Sequence, residues 1–145
     1  MKFYDRERET TELLRIRQLT IDDSSRMTLV TGRRRIGKTT LIQRTYANTA
    51  MVYLYVKRRN EKELVQTFCE AIRSQMDMFI PNGIANFTDL LRLLLEYSKQ
   101  HPFTLVLDEF QEFVHVNTRI FQDMQELWDT YHTETHLNLI ISGSA

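Results

Sequence analysis

The 145-residue chain has one cysteine, two prolines, four glycines and no net formal charge. Each shortage excludes something. With Cys69 alone, no intrachain disulfide can form, which points to a reducing compartment and so to a cytoplasmic location. Cys69 itself reads as a small core side chain on a helix. No apolar run exceeds strand length, so no transmembrane helix is expected. The charged N-terminus lacks the apolar stretch of a signal peptide, and no membrane partner is expected. Nineteen basic residues balance nineteen acidic ones, so no global field draws the chain to nucleic acid or to a membrane surface. There is no internal repeat, low-complexity tract or linker. What remains, 42% hydrophobic and 26% charged residues, is the composition of a globular chain long enough for one domain with a sizeable core.

Two of the four glycines bracket the most informative stretch, Gly32-Arg33-Arg34-Arg35-Ile36-Gly37-Lys38-Thr39. It matches G-x-x-x-x-G-K-[ST], the P-loop spacing that holds nucleotide phosphates. Met27 to Thr31 reads as a short buried strand before it, and Thr39 onward as a helix after it. The glycines let backbone N–H groups approach anionic oxygens, and the helix N-terminus directs positive charge at them. Lys38 would reach the β- and γ-phosphates as a mobile point charge, and the Thr39 hydroxyl would ligate Mg²⁺. Thr40 belongs to the same phosphate-binding turn.

Downstream, Phe103 to Glu109 is an apolar run ending in two acids. It is too apolar to alternate and suits a strand covered on both faces. Ligands in open α/β sheets sit at the carboxyl ends of strands, which places Asp108 and Glu109 beside the P-loop. Asp108 would hold Mg²⁺ through water as a Walker B acid, and Glu109 would polarise the attacking water. A third apolar strand, Leu137 to Ile141, ends in Ser142-Gly143-Ser144. There Ser142 or Ser144 would sense the γ-phosphate or place the water, or the segment is a plain serine-glycine turn.

Between these motifs, helices are expected over Glu7 to Gln18 with Leu13, Leu14 and Ile16 inward, and from Lys38 to about Ala47. Three more are expected from Asn60 to about Met78, from Asn86 to Gln100 and from Asn117 to Tyr131. Asn60 and Glu63 have capping-box spacing, and Leu64, Phe68, Ile72 and Met76 share one face. Thr20 to Arg26 reads as a polar loop, Met51 to Val56 as a second strand, and Pro81-Asn82-Gly83 as a turn. Strands alternating with helices imply an α/β fold, a three-layer sandwich around a parallel sheet. An acidic strand tip separated from the P-loop strand by a further strand in sequence points to the additional-strand class of P-loop ATPases.

The start Phe3-Tyr4-Asp5-Arg6-Glu7-Arg8-Glu9, the P-loop with its triple arginine, Leu-Asp-Glu-Phe-Gln at 107 to 111 and Ile-Ser-Gly-Ser at 141 to 144 occur in one order. Together they resemble the archaeal and bacterial AAA-related ATPase family, grouped with the STAND signalling ATPases. The resemblance implies a sheet order of 5-1-4-3-2 and ATP or ADP with Mg²⁺ as cofactors. It places the Phe3 to Arg6 segment near the adenine, with Arg6 among the nucleotide-binding residues, although Phe3 and Tyr4 equally read as a tether of the first helix. Arg33, Arg34 and Arg35 either add charge at the phosphates or form a solvated basic loop. Family members continue into a fifth strand, a helical lid and a C-terminal effector region. With the sequence ending after a fourth strand, residues 1–145 are expected to be a truncated nucleotide-binding domain, its P-loop strand an exposed edge inviting self-association.

Weaker candidates complete the survey. Lys57-Arg58-Arg59 reads as a solvated turn rather than a nucleic-acid patch. His132 and His136, spaced for one helical face, read as helix-end residues favoured by the dipole rather than as metal ligands. His101 and His115 have no partner pattern, and Tyr53 and Tyr55 read as ordinary strand residues. The expected function is Mg²⁺-dependent ATP binding with slow hydrolysis, Lys38, Glu109 and Ser142 acting on the reacting phosphate. The alternatives are a nucleotide-gated switch or a DNA-linked regulatory ATPase, with an effector protein or DNA engaged through the C-terminal region.

Overall fold

A computed structural model describes residues 3–32 and 37–144. Four parallel strands, β1 (Arg26–Gly32), β2 (Met51–Tyr55), β3 (Phe103–Asp108) and β4 (Leu137–Ser144), lie in the order β1-β4-β3-β2. Five helices join them: α1 (Phe3–Asp22), α2 (Lys38–Thr45), α3 (Glu61–Gln75), α4 (Phe87–Ser98) and α5 (Ile120–Tyr131). This is the expected three-layer α/β sandwich, and the order matches the 1-4-3-2 part of the implied sheet.

The two faces of the sheet follow from strand alternation. Val52, Leu54, Leu105, Leu107, Leu139 and Ile141 point to the α3–α4–α5 side and join the larger core. Val106 and Ile140 point the other way, where α1 and α2 supply Leu13, Leu41, Ile42 and Tyr46. All six residues of β3 are buried, as a strand covered on both faces must be.

The helices begin where their caps dictate. Asn60 accepts from the N–H groups of Lys62 (2.9 Å) and Glu63 (3.4 Å), and Asn86 from that of Asp89 (2.8 Å); such a cap stabilises a helix by about 1 kcal/mol. Met76 is not part of the α3 face. It is the extended residue that ends the helix, two residues short of the expected boundary at Met78, and it packs against the core from there.

Helix α1 departs from expectation at both ends. It begins at Phe3 and runs through Asp22, so Thr20 to Asp22 are helical rather than part of a loop. The Gln18 amide donates to the Asp22 carboxylate one turn on (3.1 Å), and the Thr20 hydroxyl donates to the Ile16 carbonyl (3.0 Å). These local bonds extend a helix through residues that, unpaired, favour turns. Leu14 is 41% exposed whereas Leu13 is buried, because α1 presents a single stripe to the sheet and adjacent helical residues lie about 100° apart.

A 3-10 turn, Phe110–His115, follows β3 before α5 begins at Ile120, where the sequence had placed the helix start at Asn117. The turn is anchored by Phe113, which is fully buried among Phe68, Phe87 and Phe110 with ring centroids 6.4, 4.7 and 5.5 Å away. That anchor fixes the backbone leaving the acidic strand tip.

Candidate functional site

All four strands point their carboxyl ends to one side of the sheet, and the register brings the singled-out residues together there. Val30 and Asp108 each pair with Ser142, Gly32 pairs with Ser144, and Tyr55 pairs with Asp108. The P-loop strand and the serine-glycine tip therefore end together, two residues beyond the level of the acidic strand tip.

Gly37 precedes α2 with φ 76° and ψ 21°. A side chain is disfavoured in that left-handed conformation, so the second glycine of the motif is a backbone requirement. Its carbonyl accepts from the Leu41 N–H (2.9 Å), closing the first turn of α2. Lys38 is buried, Thr39 half-buried and Thr40 exposed. The first turn carries no acidic side chain, so the positive end of the helix is not cancelled locally.

The Thr39 hydroxyl donates to Asp108 Oδ2 (3.1 Å) across 69 residues of sequence. Asp108 is 5% exposed, and its other oxygen accepts from the Glu109 N–H (2.9 Å). A further contact was not expected from the sequence: the Tyr53 phenol donates to the same Oδ2 as Thr39. Tyr53 is therefore not an ordinary strand residue. Its phenol is pushed well above the ordinary tyrosine value, first by burial and then by the Asp108 carboxylate beside it. Below that raised value it stays a neutral donor. The available signal was the i,i+2 pair Tyr53 and Tyr55 on the face that Asp108 shares.

Glu109 is also buried and takes φ 55°, ψ 44°, a left-handed backbone uncommon for a residue with a side chain and often found at functional sites. Its carbonyl accepts from the Glu112 N–H (3.0 Å) at the start of the 3-10 turn. The Gln111 side-chain amide reaches back to donate to the Glu109 carboxylate. Ser142 is 1% exposed, and its hydroxyl has no hydrogen-bond partner among the described residues. A buried hydroxyl left in that state lacks about 1 to 3 kcal/mol of interaction, which a phosphate oxygen or a water would supply.

Thr39 and Asp108 form a hydroxyl-and-carboxylate oxygen pair, the donor set that a hard, phosphate-bound Mg²⁺ takes from a protein. The residues present fit that ion. Arg33, Arg34, Arg35 and Ile36 lie outside the described residues, as do the side chains of Arg6 and Ser144.

Four of the weaker candidates have partners within the fold. Arg58 is ion-paired with Glu112, and Lys57 lies 6.0 Å from the Tyr55 ring centroid. His132 caps the end of α5, with Nδ1 against the Trp128 carbonyl (2.9 Å), and His136 Nδ1 meets the Thr20 carbonyl (2.9 Å). Among the described residues no group of three or more His, Cys, Asp or Glu side chains forms a metal cluster. None of the described helices is long and apolar enough to cross a membrane.

Known proteins share this architecture. An uncharacterised protein of Methanocaldococcus jannaschii is 31% identical over 67 residues, which is 46% of this chain and 65% of that protein. A Walker-type ATPase of Pyrococcus abyssi superimposes with a TM-score of 0.70 at 18% identity, over 97% of this chain and 45% of its own. The ORC2 protein of Aeropyrum pernix, solved in ADPNP–ADP complexes, superimposes with a TM-score of 0.64 at 20% identity, over 99% of this chain and 42% of its own. The chain thus spans less than half the length of these two solved proteins, and at such identities the likeness is one of fold. The model of the ATPase domain predominantly from Archaea matches residues 3–145. With that match over nearly its whole length, the chain belongs to this archaeal-type ATPase domain family.

Proposed function

We propose that this chain binds Mg·ATP at the carboxyl end of its sheet and hydrolyses it slowly to ADP and phosphate. The observation that carries the reading is the Thr39–Asp108 hydrogen bond. It joins the N-terminus of the phosphate-binding helix to a buried acid at the tip of β3, where the two oxygens would suit Mg²⁺. Lys38 neutralises charge developing on the transferring phosphoryl group, together with the N–H groups opening α2. Thr39 and Asp108 would hold the Mg²⁺, which when bound supplies Lewis-acid polarisation of the phosphate oxygens. Glu109 accepts a proton from water as the water oxygen bonds to the γ-phosphorus and the bond to the leaving ADP oxygen breaks. Ser142, buried with its hydroxyl unfilled, is placed to hydrogen-bond the phosphate or that water.

The test is calorimetric titration of Mg·ATP into the unmutated chain and into Lys38→Ala. Binding in the micromolar range, weakened at least about 100-fold by the substitution, is the expected result, an effect of about 2.7 kcal/mol. Equal binding by both proteins would remove the P-loop from the reading. A phosphate-release assay then separates slow hydrolysis from a nucleotide-gated switch, since only the former loses signal in Glu109→Gln.

A second copy of the chain is the proposed partner at the sheet edge. In the described structure β1 pairs only with β4, and its Met27 and Leu29 are 45% and 66% exposed. They border two adjoining apolar grooves of about 320 and 350 Å³, walled by Phe110, Phe121 and Ile141. An open apolar edge of this kind favours strand pairing with another chain. Light scattering across a concentration series checks it: mass rising towards that of a dimer supports the pairing, and a constant monomer mass removes it.

A further inference from the structure

We infer that Gln111 is the positioning residue of Glu109, and that glycine at position 143 leaves the Gln111 amide free to hold that place. The inference rests on the reading of Glu109 as the group that activates water.

Three observations meet at this side chain. Its amide nitrogen donates to the Glu109 carboxylate. Its amide oxygen is buried, with no hydrogen-bond partner among the described residues. A Cβ built on Gly143 would lie 2.6 Å from that oxygen, closer than a real Cβ contact. The backbone of Gly143 has no positive φ, unlike Gly37 and Gly83, so conformation does not demand glycine there. A Cβ there would instead require the Gln111 amide, the far end of a flexible side chain, to move away from its present place. Gly143 is also the register partner of Thr31, the residue before Gly32. The one terminal amide thus meets the carboxylate through its nitrogen and the strand tip beside the P-loop strand through its oxygen.

The local backbone is arranged for this reach. Glu109 is held left-handed, with its N–H on Asp108 Oδ1 (2.9 Å) and its carbonyl opening the 3-10 turn. The turn is anchored through buried Phe113, which returns Gln111 towards Glu109. A catalytic carboxylate displaced by about 1 Å can lose roughly 100-fold in rate, so restricting its side chain bears on turnover rather than on nucleotide affinity.

The test is a double-mutant cycle of Gln111→Ala, Gly143→Ala and the pair, read as kcat, Mg·ATP affinity and melting temperature. Each single substitution is expected to lower kcat about tenfold or more while affinity stays within about twofold. The pair should be no worse than either single change, because Gly143→Ala acts by pushing the amide aside. Gly143→Ala should lower the melting temperature in the presence of Gln111 and not in its absence. Full turnover in Gln111→Ala, additive losses in the pair, or affinity falling in step with kcat would each overturn the inference. Absence of turnover in the unmutated chain would refute the hydrolytic reading instead. The melting cycle then still decides whether Gln111 and Gly143 act as one unit, and additive melting shifts would overturn that.

Discussion

On one face of the sheet, α3, α4, α5 and the 3-10 turn bury Leu64, Phe68, Ile72, Phe87, Leu94 and Phe113 against β2, β3 and β4. On the other, among the described residues, α1, α2 and the residue after α2 bring Leu13, Leu41, Ile42 and Tyr46 to Val106 and Ile140. The deep face anchors the turn that carries Glu109 and Gln111. The shallow face carries Lys38 and Thr39 on a helix of eight residues, too short to be stable without tertiary contacts. The candidate site therefore lies at the joint between a well-anchored acidic arm and a lightly held phosphate-binding arm. Phosphate contacts would add to the weaker side, so nucleotide should report on, and stabilise, the shallow face more than the deep one.

The largest effect should come from the deep face. Phe87→Ala is expected to destabilise the fold by about 3–5 kcal/mol, measured by denaturant unfolding, with nucleotide affinity unchanged under conditions where the variant remains folded. Ile42→Ala, 1% exposed on the shallow face, should destabilise by about 2–4 kcal/mol and also weaken Mg·ATP binding in calorimetry. Equal effects of the two substitutions on affinity would break the distinction between the faces.

Tyr53→Phe sharpens the comparison at the joint. Loss of a hydrogen bond to a carboxylate is worth about 1.5–3 kcal/mol, and the expected readout is an altered Mg²⁺ dependence of nucleotide binding, by about tenfold, with metal-free nucleotide binding unchanged. The same substitution has a pH signature. The Tyr53 phenol is raised in the fold above its ordinary value of 10.0, by burial first and by Asp108 next. Its stabilising contribution is thus complete below about pH 10 and is lost as pH rises from there through the folded value. Tyr53→Phe should flatten that alkaline limb in melting curves. The smallest effect on stability should be that of Leu29→Lys, within about 0.5 kcal/mol, while light scattering loses any concentration-dependent association.

Much of this is legible in the sequence because it is local. The P-loop spacing, the apolar run into Asp108 and Glu109, and the Asn60 and Asn86 caps each depend on residues within one turn or one strand. The residues placed at the site by motif, Lys38, Thr39, Asp108, Glu109 and Ser142, do converge at the carboxyl end of the sheet. The length of α1 is less legible, since Thr20 and Asp22 read as loop residues until their side chains find partners one turn back. Leu14 shows the same limit. An apolar residue beside another on a helix cannot share its stripe, and which of the two faces the sheet is settled by docking.

Sequence alone determined the fold class, the phosphate-binding turn and the acidic strand tip, because local periodicity and spacing encode strand, helix and backbone geometry directly. Only the tertiary structure decided that Tyr53 and Thr39 share one oxygen of Asp108, that Gln111 holds Glu109, and that Gly143 makes room for Gln111. The Asp108 and Gly143 contacts join separate strands, helix and turn, and exist only once the parallel register is set; the Gln111–Glu109 bond spans two residues and depends on the turn that Phe113 anchors.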